Sequence, residues 1–158
     1  MTAKPQLISL ASLDSLSAQA RSSARRRKNY NFHAETDPAN RLLNAVEPGS
    51  YVQPHRHLDP SKDETLVVVR GSFGVVFFDD SGTVTQTAVA RAGGDVLGAD
   101  IPHGVYHSVV ALEPGSVFFE AKAGPYVPIR DAERAPWAPR ESEPAVAAYL
   151  EQLERLFR

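Results

Sequence analysis

The sequence predicts an all-β core, a barrel or sandwich, flanked by α-helices at its N-terminal and C-terminal ends. Three observations carry this expectation. Short runs rich in β-branched and aromatic residues recur through 42–130. Glycine, proline and aspartate punctuate those runs at close intervals. Apolar spacings of three and four residues mark the two ends of the chain. Many evenly spaced short strands favour a closed or two-layered β architecture. At 158 residues the chain is expected to form a single domain, 1–158, with its barrel over 42–130.

The elements follow in chain order. Leu7, Leu10, Leu13, Leu16 and Ala20 predict an N-terminal helix over 7–25, with Ser9 or Ser12 as its cap. Residues 26–41 read as polar and irregular; the basic run Arg25, Arg26, Arg27, Lys28 leads into Asn29-Tyr30-Asn31-Phe32-His33. Strands are expected over 66–69, 75–78, 84–89, 105–112 and 117–121. Turn signals bound them at Pro48-Gly49, Gly71, Asp80-Ser81-Gly82, Gly93-Gly94 and Pro114-Gly115. Pro125, Pro128, Pro136 and Pro139 keep 125–140 out of helix and central strand. Val146, Tyr149, Leu150, Leu153, Leu156 and Phe157 then predict an amphipathic helix over 143–157.

Composition excludes several functions. The chain has no cysteine, which rules out disulfides, thiolate nucleophiles, thiolate zinc sites and iron–sulfur clusters. Lys and Arg number 17 against 19 Asp and Glu, a net charge of −2, so no global field attracts nucleic acid. No apolar run approaches the roughly 18 residues of a membrane span. The first residues show neither a long apolar stretch nor a small-residue cleavage site, so a cytoplasmic protein without a signal peptide is expected.

The five histidines carry the chemistry. His55 and His57 lie two residues apart. On an extended chain their rings project to one face, about 6–7 Å apart, and can converge on one ion. A helix would splay them. Glu64 follows just before an apolar run, with Asp59 and Asp63 as rivals for its role. Neutral imidazoles with a carboxylate suit one divalent transition metal (Fe, Mn, Ni, Zn or Cu), and the donor set does not choose among them. His103 and His107 stand four residues apart around Gly104, about 13 Å if extended, so only one can join the same ion. His107 opens a strand while His103 lies in a turn, which makes His107 the expected ligand.

The pattern Gly49-x5-His55-x-His57-x6-Glu64-x6-Gly71 resembles the first cupin motif, and Pro102-x-Gly104-x2-His107 resembles the second. That resemblance implies a cupin jelly-roll (double-stranded β-helix) barrel and a metal held by His55, His57, Glu64 and His107. Two departures stand out. Six residues separate His57 from Glu64 where the family usually has three or four, and Ala111 stands where the second motif usually has asparagine. The chain as a whole is similar to the WbuC-type cupin-fold metalloproteins associated with polysaccharide (O-antigen) biosynthesis. Stretches such as 27–33, Arg41-Leu42-Leu43-Asn44-Ala45, Gly124-Pro125-Tyr126 and Ala135-Pro136-Trp137-Ala138-Pro139 carry that likeness.

Other residues are candidates for the site. If extended, Arg27, Asn29, Asn31 and His33 share one face. Arg27, Asn31 and His33 are therefore expected to close over the barrel mouth and bind substrate, the guanidinium suiting a carboxylate or phosphate. The alternative is a solvated basic arm that complements the preceding helix end. Glu120 and Lys122 share a face with Phe118 and, if that face points inward, are candidates for acid–base catalysis. Tyr51 and Tyr106 read as packing residues. Residues 75–78 are apolar on both faces, so one face needs a cover: a second copy in a homodimer, or the C-terminal helix. The resulting expectation is a metal-dependent enzyme, isomerase- or epimerase-like or dioxygenase-like, acting on a sugar-derived or other small anionic substrate in polysaccharide biosynthesis. The alternative is a non-catalytic, metal-dependent binding or sensor protein.

Overall fold

The computed structural model describes residues 4–158, and among them eight strands build two antiparallel sheets. The larger sheet runs in the order β1 (Arg27–Asn31), β2 (Ala39–Val46), β8 (Ser116–Ala123), β3 (Glu64–Arg70) and β6 (Gly98–Ile101). The smaller sheet orders β5 (Val84–Arg91), β4 (Ser72–Phe78) and β7 (Tyr106–Ala111). Side chains alternate across each strand, so Leu66 and Val68 of β3, Phe118 of β8, and Phe73 and Val75 of β4 meet between the sheets. The Phe73 and Phe118 rings pack edge to face at 5.1 Å.

The outer faces are covered by the helices. Helix α1 (Leu10–Ser22) lays Leu13, Leu16 and Ala20 on Leu43, Ala45 and Val117 of the larger sheet. Ser9 caps it and Ser12 answers: the Ser12 backbone N–H donates to Ser9 Oγ at 3.2 Å, and the Ser9 N–H to Ser12 Oγ at 2.9 Å. Both serines weighed as caps therefore act together. Helix α2 (Val146–Arg155) places Leu150 and Leu153 against Val76 and Phe78, the outer face of β4. The cover for the two-sided apolar strand thus comes from the same chain.

Several boundaries differ from the sequence expectation. The first helix is shorter than 7–25, because Leu7, Ile8 and Leu10 are exposed and nothing packs their end of the stripe. The second is shorter than 143–157. The stretch expected to be irregular holds β1, and the strand region starts ahead of residue 42. β1 is an edge strand whose side chains from Lys28 to Asn31 are exposed, so apolar content was never required of it. The short β6 also escaped notice, since it begins on Gly98 and carries Asp100. A Cβ at Gly98 would lie 1.9 Å from the Leu66 carbonyl oxygen, so glycine is needed for β3 to pair there. Residues 125–140 are irregular, apart from a single 3-10 turn at Asp131–Glu133.

Candidate metal centre

His55 and His57 lie in an irregular, extended stretch rather than on a strand. Two isolated bridges position the first of them, one to Arg134 and a reciprocal one to His107. The His55 N–H donates to the His107 carbonyl at 3.1 Å, and the His107 N–H to the His55 carbonyl at 3.0 Å. That pairing sets the two rings side by side, with centroids 4.6 Å apart. Glu64 is the first residue of β3, facing inward like Leu66 two residues on. The six residues before it fold into a turn in which Asp59 Oδ1 accepts the Ser61 N–H at 2.9 Å. The added length loops outward and Glu64 still returns to the cluster.

One donor atom from each of His55, His57, Glu64 and His107 lies within 4.8 Å of all the others, so the cluster could hold a metal ion. His57, Glu64 and His107 are buried. The chemistry of the donors fits. His55 Nδ1–H donates to the Gln53 carbonyl at 2.9 Å, and His107 Nδ1–H to the Val105 carbonyl at 3.0 Å. A carbonyl can only accept, so each ring carries its proton on Nδ1 and turns a bare Nε2 inward. His107 Nε2 is buried without a hydrogen-bond partner among the described residues. Such an orphaned acceptor is costly unless an ion or another donor meets it.

Electrostatics agree with coordination. Burial, with the neighbouring His107 second, pushes His55 down to about 3. Burial also lowers His107. Both rings are therefore neutral at pH 7, the state that binds metal. Burial opposes ionisation of Glu64, yet the hydrogen bond from His57 and the charge of Lys122 outweigh it and hold the carboxyl well below its ordinary value.

Glu120 and Lys122 face into the barrel beside this cluster. Lys122 Nζ lies 3.0 Å from Glu120 Oε1 and 3.8 Å from Glu64 Oε2. Burial and the Glu64 charge raise Glu120 above its ordinary value. Burial works against the Lys122 charge, but Glu120 and Glu64 more than offset it and raise the ammonium. Asn44 of β2 donates its amide to Glu120 Oε2 at 3.0 Å. Sequence reasoning missed Asn44, although the alternation Leu42, Asn44, Val46 put it on an inward face. It also missed the apolar wall that these strands form with Val52, Phe118 and Ile129 around a cavity of about 230 Å³.

The structure divides the other candidates. Arg27 lines the cavity, donating to the Tyr51 carbonyl at 2.8 Å and pairing with Glu141. Asn31 and His33, expected to bind substrate there, are not among the residues that line it. Asn31 accepts from Asn29 on the exposed edge, and His33 Nδ1 accepts the Arg41 backbone N–H at 2.8 Å. The one-face alternation was real, but only its first residue lies at the barrel mouth. His103 is exposed and contacts Asp63 at 2.8 Å, away from the cluster. Tyr51 and Tyr106 pack in the layer beneath α2. Ala111 sits buried in the inter-sheet core, filling with a methyl the place where a polar group would need partners.

A family profile described as "Domain of unknown function (DUF6016)" matches residues 8–90, just over half of the chain. The chain belongs to that family. No curated protein matches it. Among solved structures it is similar to KdgF from Halomonas sp., at 24% identity and TM-score 0.50, over 67% of this chain and 82% of that one. It is similar at 18% identity and TM-score 0.50 to oxalate decarboxylase of Bacillus subtilis, studied for its Mn(II) centres. That match covers 69% of this chain and only 27% of the decarboxylase. A conserved Streptococcus pyogenes protein of unknown function matches at 10% identity and TM-score 0.50, over 66% of this chain and 80% of that one. The shared feature is the cupin jelly-roll fold.

Proposed function

We propose that this DUF6016 member is a metal-dependent cupin enzyme acting on a small anionic substrate. One observation carries the reading. A pair of buried Glu120 and half-buried Lys122 stands beside the His55, His57, Glu64, His107 cluster, Lys122 3.8 Å from Glu64, and opens on the same cavity. A protein that only bound metal would have no need of a second buried acid and base there, so this pair favours an enzyme over a sensor or binding module.

A divalent ion held by the three imidazoles and Glu64 would supply Lewis acidity to a substrate oxygen. The chain supplies the rest. Glu120 is poised to hold or deliver a proton at its carboxyl oxygen, its ordinary acidity weakened by burial. Lys122 keeps its charge and orients Glu120 through the 3.0 Å contact. Asn44 fixes the other carboxylate oxygen. Arg27 stands at the cavity rim with its charge shared with Glu141. These parts suit an isomerase- or epimerase-like proton transfer, or a dioxygenase-like reaction if the ion is redox-active.

The likeness to WbuC-type proteins supports a place in polysaccharide biosynthesis, with a sugar-derived compound among the candidate substrates, and a cytoplasmic setting. A homodimer also belongs to the proposal. Its interface must lie elsewhere than β4, whose outer face α2 covers, and a monomer mass by light scattering at tens of micromolar would reject it. For the enzyme reading itself, a Glu120→Gln variant should keep its metal and lose conversion of any substrate found by screening. Equal conversion by Glu120→Gln would remove the acid–base role.

A further inference from the structure

The cavity beside the cluster is small and unevenly lined. Its volume of about 230 Å³ equals roughly eight waters at about 30 Å³ each. Sites for drug-sized ligands start near about 300 Å³. A nucleotide sugar exceeds this space, and a hexuronate held there would have to lay ring hydroxyls against apolar wall. Leu42, Val46, Val52, Phe118 and Ile129 make much of the wall apolar. Glu64, Glu120 and Lys122, with His55 and His107, supply much of its polar lining.

Charge decides what the polar lining accepts. Glu64 and Glu120 bring two carboxylates and Lys122 one ammonium, which sums to −1. Arg27 at the rim shares the single Glu141 carboxylate with Arg25, so the positive excess there lies outside the group of Glu64, Glu120 and Lys122. Beside the cluster the side chains alone therefore disfavour an anion. With a divalent cation on the histidines the same group would carry +1, and that reversal of sign would favour an anion. An ion held by these four donors could also accept oxygen ligands from a bound molecule.

We propose that the cavity is selective for short aliphatic 2-oxo or 2-hydroxy monocarboxylates, and that Lys122 and the cluster accept them only when a divalent cation is bound. This deepens the metal-dependent reading and rests on it. The carboxylate and its adjacent oxygen face the cluster, and the aliphatic chain lies on Val46, Val52, Phe118 and Ile129.

Calorimetry on full-length protein, dialysed metal-free or loaded with Ni(II) and checked by elemental analysis, tests this with 3-methyl-2-oxobutanoate as probe. The loaded protein should bind the acid, and the metal-free protein should bind it about tenfold or more weakly. Glucuronate and UDP-glucose should give no binding heat. Leu42→Trp, which fills the cavity without touching a donor, should abolish the heat and keep the nickel. Lys122→Met should weaken binding by about tenfold or more. Leu42→Trp keeps the proposal testable if Lys122→Met fails to fold. A nickel-loaded protein that ignores the acid, or takes UDP-glucose equally well, overturns the inference and leaves metal binding standing. A protein that loads no metal overturns the parent reading with it.

Discussion

His57 Nε2 lies 2.8 Å from Glu64 Oε2, although six residues separate the two in the chain. The carboxylate accepts, so the imidazole donates from the nitrogen that an ion would require. Coordination through that nitrogen needs its proton to move to Nδ1 or to leave. The His57–Glu64 contact thus holds two of the four potential donors together, and an ion bound there would take the place of a proton.

The first expected outcome concerns that exchange. Elemental analysis of protein purified without chelators should find close to one divalent metal per chain. His57→Ala and His107→Ala should each abolish it, since each removes one of few donors. Full occupancy in His57→Ala would refute the assignment.

Acid should strip the metal. Protons compete with the ion for imidazole nitrogen, so affinity falls with falling pH and returns on neutralisation. His55, already pushed down to about 3 by burial, does not set the limit. Titration of Ni(II) downward from pH 8 should show affinity falling with pH, and because burial lowers both His55 and His107 much of the loss should come below the ordinary histidine range. Affinity independent of pH would exclude imidazole ligands.

Removing Lys122 should destabilise the fold. Its ammonium is the cation paired with the buried Glu120 carboxylate. Lys122→Met leaves an uncompensated buried charge, expected to cost about 3–5 kcal/mol in urea unfolding. Adding Glu120→Gln to that variant should restore part of the loss, because the orphaned charge goes with it. A loss in the single variant under about 1 kcal/mol would mean that the pair is solvated.

The carboxylate of Glu141 ties the first strand to the C-terminal tail. It pairs with Arg25 and with Arg27. Burial works against its ionisation, but the Arg25 hydrogen bond and the two positive charges prevail and hold it below its ordinary value. A carboxyl depressed in the folded state adds stability above its unfolded value, near about 4.3, and loses it as pH falls through the folded one. Hydrogen exchange at the β1 amides should therefore quicken over that acid window. Glu141→Gln should show the fast exchange already at neutral pH. Identical protection in both proteins would show that the ion pairs do not hold the strand.

The C-terminal helix is predicted to be integral to the domain. Leu153 is 4% exposed and packs in the layer over β4. Leu153→Ala should cost about 2–5 kcal/mol, as buried leucine truncations do. Denaturant melts of the two proteins measure it, and an unchanged midpoint would make α2 an appendage.

Much of the architecture was legible in local patterns. The β-branched runs of β3, β4, β7 and β8 show through because both faces of the inter-sheet layer must be apolar. The stripe of α2 shows because an amphipathic helix repeats at its own period. The tight pair His55-x-His57 and the lone His107 stood out by residue type and spacing. Glu64 was named as a ligand despite its long separation from His57, and a surface turn at Asp59 absorbs that length.

Other features depended on contacts between residues far apart in sequence. β1 and β6 have little apolar signal because an edge strand is held by backbone pairing, which side-chain composition does not encode. Arg27, Asn31 and His33 share a face on paper, yet only Arg27 lies over the cavity, since the strand runs past the mouth and away. Asn44 meets Glu120 only because β2 and β8 pair in one register. The cover on β4 could have been a second molecule or α2, and the path of the chain through 125–140 settled it. Residue types and spacing specify which donors are available. Register and chain path decide which of them share a cavity, because a displacement of a few ångströms is enough to make or break each contact.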